Sequence, residues 1–111
     1  MTPATAMETI TPEVARSTST PLKVSAHTRP GATAGAIAAI IRAGEVAEIQ
    51  SIGAAATNQA VKAIAIARNY LHDEQIRIVC IPSFVDLMID GEERTAIRLH
   101  VERRAPTMRN V

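Results

Sequence analysis

The chain has 111 residues, the length of one ordinary domain. Lys and Arg number 12 against 11 Asp and Glu, a formal net charge of +1, which excludes a polycation that binds by bulk charge alone. Aromatics are 2%, namely Tyr70 and Phe84, so rows of stacking rings for single-stranded nucleic acid are excluded as well, while 47% hydrophobic residues argue against a disordered chain.

Residues 1–21 are dominated by Thr, Ser, Pro and Ala and end in Ser17-Thr18-Ser19-Thr20-Pro21. Such a stretch has little to bury and reads as a tail. A short helix over 8–16 is weighed against Pro12, which opposes it. The domain is expected over 22–104, with 105–111 as a second short tail. Cys80 is the single cysteine, so neither an intrachain disulfide nor a cysteine-based zinc site can form. Its setting, Ile78-Val79-Cys80-Ile81, reads as core. No apolar run reaches the ~18 residues that span a bilayer. The N-terminus carries no charged and apolar signal pattern, so a cytoplasmic location without membrane contact is expected.

Leu22-Lys23-Val24-Ser25-Ala26 alternates apolar and polar after Pro21 and predicts a strand. After the loop His27–Gly31, Ile37, Ile40 and Ile41 fall at helical spacing, and Gly44 stops that helix. Val46–Ile52 reads as a second strand ending at Gly53, and a longer helix is predicted over about 57–72. Strands follow near 76–81 and 86–90, or one long bent strand interrupted at Pro82. Asp90-Gly91 is a hairpin turn signal. The last strand, Thr95–Arg103, turns Ile97, Leu99 and Val101 to one face and Arg98, His100 and Glu102 to the other. The order β-α-β-α-β-β predicts a two-layer α/β fold: a mixed four-stranded sheet with two helices on one face.

On the second helix, Ala56, Ala60, Ala63, Ile64, Ala67 and Leu71 make one apolar stripe, opposite Asn58, Lys62 and Asn69. Two readings stand. Ala is a good helix former, and the wide arc is also a surface on which Ala60, Ala63, Ile64 and Ala67 would meet a second subunit.

Catalytic signals are weak. His27, His72 and His100 are scattered, Glu92-Glu93 sits at a hairpin tip, and no nucleophile grouping or phosphate loop occurs. No enzyme activity, metal or cofactor is expected. The junction Gly53–Gln59 is more informative, because a helix starting there offers free N–H groups to an anion. Thr57, Asn58, Gln59 and Lys62 would add donors; plain capping by Thr57 or Asn58 is the competing reading. Arg94 and Arg98 share one face of the last strand and could fork onto phosphates, with Glu92, Glu93 and Glu102 competing for them as ion-pair partners.

Several blocks together resemble the stage V sporulation protein S family: Leu22–Ala26, Ala47-Glu48-Ile49-Gln50, Asn58–Ala63, Ala65-Ile66-Ala67-Arg68, Ile81-Pro82 and Ile89–Ile97. The likeness runs through nearly all of 22–103. It implies an Alba-like fold, assembly as a homodimer or homotetramer, a part in sporulation and septation, and nucleic acid, most plausibly duplex DNA, as the partner. Transferred onto this chain, the contacts fall on Gly53–Lys62 and on the hairpin around Asp90–Arg98, hence on Thr57, Asn58, Gln59, Lys62, Arg94 and Arg98. The chain departs from the Lys-rich Alba pattern with Ala54-Ala55-Ala56 and with two Glu at the hairpin tip. The alternative function is a protein-interaction scaffold in a developmental pathway that does not touch nucleic acid.

Overall fold

The computed structural model describes residues 20–105. The tails expected at 1–21 and 105–111, and the helix weighed at 8–16, fall outside these residues apart from Thr20, Pro21 and Ala105. The elements are β1 (Leu22–Val24), α1 (Pro30–Arg42), β2 (Ala47–Ser51), α2 (Ala54–His72), β3 (Ile78–Ile89) and β4 (Glu92–Arg103). This is the predicted order, in a mixed four-stranded sheet arranged β1-β2-β4-β3.

Local chemistry accounts for the boundaries. Pro30 opens α1, where its fixed φ suits a helix and its missing N–H costs nothing, and Arg29 before it is extended. Gly44, at φ 82°, closes it: its N–H donates to Ile41 O at 2.9 Å, and Glu45 N–H donates to Ile40 O at 3.1 Å, the paired bonds of a Schellman ending. The second helix starts at Ala54, three residues before the predicted Thr57, because Gly53 at φ 93° turns the chain and three alanines then enter the helix directly. Asp90 and Gly91 both have positive φ, which gives the primed two-residue turn that joins twisted strands.

The structure decides two points of the sheet. β2 and β3 run parallel but do not pair, because β4 inserts between them and is antiparallel to both. β3 is one strand through Pro82. It lies at the sheet edge, where a residue without an N–H need not leave a ladder bond unmade. Only Ile97–Val101 of β4 pair with β2, so the distal halves of β3 and β4 project past the sheet as a two-stranded arm.

The core lies between the helices and one sheet face, with Ile37, Ile41, Ile49, Leu71 and Val101 fully buried. Ala56, Ala60, Ala63, Ala67 and Leu71 of α2 enter this core. Ala60, Ala63 and Ala67 retain 0% of their surface, so the expected subunit interface on Ala60, Ala63, Ile64 and Ala67 is corrected: small side chains let α2 pack closely within its own chain, and only Ile64 stays half-buried. The large exposed apolar groups lie mainly on β3, with Phe84 at 78% and Met88 at 73%. Cys80, expected in the core, is exposed on the same strand, because no helix covers that edge.

Candidate nucleic-acid interface

The N-terminal pole of α2 is built from two junctions. The loop after β1 is self-braced: Ser25 N–H donates to Thr28 Oγ1 at 2.8 Å, and His27 N–H donates to Ser25 Oγ at 3.1 Å. Gln59 Nε2 then donates to Thr28 O at 2.9 Å, which ties this loop to the start of α2. The tie holds the exposed His27 and Arg29 beside the first turn of the helix. That turn has no acidic residue and no side-chain cap, so the leading amides keep their donor capacity and the positive end of the helix dipole is uncompensated.

The predicted residues separate into two groups. Asn58 and Lys62 are exposed and four residues apart on one flank of α2. Arg94 is exposed on the arm. Thr57 and Gln59 are occupied structurally: Thr57 Oγ1 shares a 2.9 Å hydrogen bond with Ser51 Oγ, and Gln59 holds Thr28. Arg98 is likewise engaged, its Nη2 donating to Gln50 Oε1 at 2.7 Å on the sheet face away from the helices. Its Nε is buried without a partner. Asn58 and Lys62 therefore stand exposed on α2, which Gln59 ties to the loop that carries His27 and Arg29, while Arg98 is engaged on the outer sheet face. Glu92 and Glu93 are exposed at the tip, and no salt bridge among the described residues joins them to Arg94 or Arg98.

Sequence reading missed a cluster on the outer sheet face. His100 Nδ1 lies 2.7 Å from Glu48 Oε2, and its Nε2 lies 2.9 Å from Glu102 Oε1. Ionised carboxylates only accept, so the imidazolium is the form that satisfies both contacts. Desolvation is the largest single influence and lowers the His100 pKa; the hydrogen bonds to Glu102 and then Glu48, with their charges, outweigh it and leave the pKa raised. Glu48 comes from β2, fifty-two positions away in the chain, so only the pairing of Glu48 with His100 across the ladder brings them together.

Among the described residues no helix is long and apolar enough to cross a membrane. A family model described as Stage V sporulation protein S (SpoVS) matches residues 20–104, which includes every element of the sheet and both helices. The chain thus belongs to the stage V sporulation protein S family, whose description ties it to sporulation.

Proposed function

We propose that the chain is a non-enzymatic regulator that binds nucleic acid, with duplex DNA as the partner and the phosphate backbone as the main point of contact. The observation that carries this reading is the N-terminal pole of α2: an uncapped, acid-free first turn braced against a loop bearing His27 and Arg29, with Asn58 and Lys62 alongside. Free amides and exposed cations are what a phosphate backbone asks of a protein. Arg94 on the arm extends the surface. The net charge is too small for one copy to bind tightly, so the reading includes a homodimer or homotetramer that repeats the pole by symmetry. With Ala60, Ala63 and Ala67 buried, the apolar residues of β3 supply the surface for self-association.

Binding to a mixed-sequence duplex, followed against salt, tests the proposal. At low salt a dissociation constant in the range ~10⁻⁴–10⁻⁶ M or tighter is expected, weakening as salt rises. Absence of binding at ~50 mM salt with protein raised to about 10⁻⁴ M or above refutes it.

A second reading has its own observation. Phe84 and Met88 share one face of an edge strand and are exposed, an apolar surface that suits a protein partner and a scaffolding role without nucleic acid. Partners recovered from the native cell that survive nuclease treatment favour this reading; loss of every partner removes it.

A further inference from the structure

The opposite pole of α2 concentrates more positive charge than the pole that sequence reading singled out. Arg68 stands in the last turns of α2, Arg77 in the link to β3, and Arg104 just beyond β4; all three are exposed. With His72, Ile76 and Ile78 they line a cleft of about 200 Å³. Arg68 and His72 are one helical turn apart and share a face. Arg104 N–H donates to Arg77 O at 2.7 Å, which clamps the two remaining arginine-bearing segments side by side.

Two carboxylates stand near this charge. Asp73, which follows α2 and lines an adjoining cleft with Arg77, makes no salt bridge with it. Glu74 follows α2 closely, but its carboxylate is gripped by Arg42, with Nε at 3.1 and 2.9 Å and Nη2 at 2.7 Å. Among the described residues no salt bridge involves Arg68, Arg77 or Arg104. The helix dipole is also too small to explain the cluster. A C-terminus presents roughly half a negative charge, enough to favour one cation, and here three guanidinium groups gather.

We propose that this cleft is a phosphate-binding site in which Arg68, Arg77 and Arg104 hold one phosphate group or two adjacent ones. Guanidinium forks match phosphate oxygens in geometry and number of donors, and Ile76 and Ile78 give the ligand a partly apolar wall that strengthens those contacts. The chemistry is common to a free phosphorylated small molecule and to a nucleic-acid backbone. The site does not depend on the reading given above for the other pole and shares no residue with it; Lys62 and Arg68, the nearest members of the two along α2, are six residues or about 9 Å apart on the helix axis.

Calorimetric titration of the full chain with inorganic pyrophosphate at low chloride concentration tests the site. Binding to the wild type is expected, with a loss of about tenfold or more for each of Arg68→Gln and Arg104→Gln. Lys23→Gln removes one exposed charge outside the cleft lining and is expected to leave pyrophosphate affinity within about twofold, because a charge that does not touch the ligand acts on it only through screening solvent. Since Arg68 and Arg104 are exposed, both variants should keep the wild-type melting temperature. A parallel titration with duplex DNA identifies the source. Duplex binding that weakens in the same arginine variants assigns the cleft to backbone phosphate; duplex binding that is absent or unaffected assigns it to a small phosphorylated ligand. No pyrophosphate binding by the wild type, or equal binding by wild type and both arginine variants, overturns the proposal.

Discussion

His100→Gln isolates the contribution of the outer-face cluster to stability. In the wild type the ring makes two short contacts with carboxylates, at 2.7 and 2.9 Å, and its side chain is 28% exposed. Hydrogen bonds to charged groups contribute roughly 1.5–3 kcal/mol each when well shielded, and partial exposure places these toward the lower end. Glutamine can reach one carboxylate but carries no charge. The expected loss is therefore about 1–3 kcal/mol where His100 is protonated. The sign of the pH dependence follows from the raised pKa. Stabilisation is fully present below the ordinary value of 6.5 and is lost as pH rises through the higher folded value. Urea unfolding, read by far-ultraviolet circular dichroism at about pH 6 and about pH 9, should show a wide gap between wild type and variant at the first pH and a narrow one at the second. An equal gap at both, or a wider one at the higher pH, refutes an imidazolium held between Glu48 and Glu102.

Ala63→Glu should lower the melting temperature steeply rather than yield a dissociated subunit of wild-type stability, because Ala63 is 0% exposed and an unpartnered buried charge costs about 3–5 kcal/mol of a total near 5–15; a variant of wild-type melting temperature with a smaller sedimentation coefficient would return Ala63 to a subunit interface. Gly53→Ala meets no atom within 4 Å, so its cost is conformational alone, about 1–3 kcal/mol at φ 93° and ψ 157°, visible as a lower melting temperature. The double change Phe84→Ser and Met88→Ser should alter unfolding free energy by less than about 1 kcal/mol, given exposures of 78% and 73%, while lowering the sedimentation coefficient of an assembly built on the arm; an unchanged assembly removes the arm from self-association. Burial of its sulfur pushes the Cys80 thiol up, so its alkylation rate should keep climbing past pH 9.0; a rate that levels off below that value contradicts this environment.

Local rules and one long resemblance made most of the fold legible. Gly44 and Asp90-Gly91 each govern a backbone conformation within a residue or two of themselves, so the end of α1 and the hairpin turn could be placed from the chain alone, whereas α1 begins at Pro30, inside the segment read as a loop, and α2 at Ala54, ahead of the expected start. Alternation in Thr95–Arg103 correctly sorted core from outer face, because side-chain direction in a strand depends only on parity. The apolar stripe of α2 was also correctly located. Its partner was not: periodicity says which face is apolar, while whether that face meets the chain's own sheet or another copy depends on the depth of the layer above it.

The candidate sites divide along the same line. Asn58, Lys62 and the free first turn of α2 are neighbours in sequence, and their proximity survives any tertiary arrangement. Thr57, Gln59 and Arg98 looked equally available as donors, but each is held by a group from another segment, Ser51, Thr28 and Gln50 respectively. The insertion of β4 between β2 and β3 set Glu48 against His100, and the closing of β4 onto the link after α2 set Arg104 against Arg77. By itself the sequence determined the family, the element order and the parity of each strand, since these rest on spacing and on backbone preferences of single residues. Which charges stand free and which are spent was decided only by the tertiary structure, because strand order and helix packing bring together residues that no spacing along the chain relates.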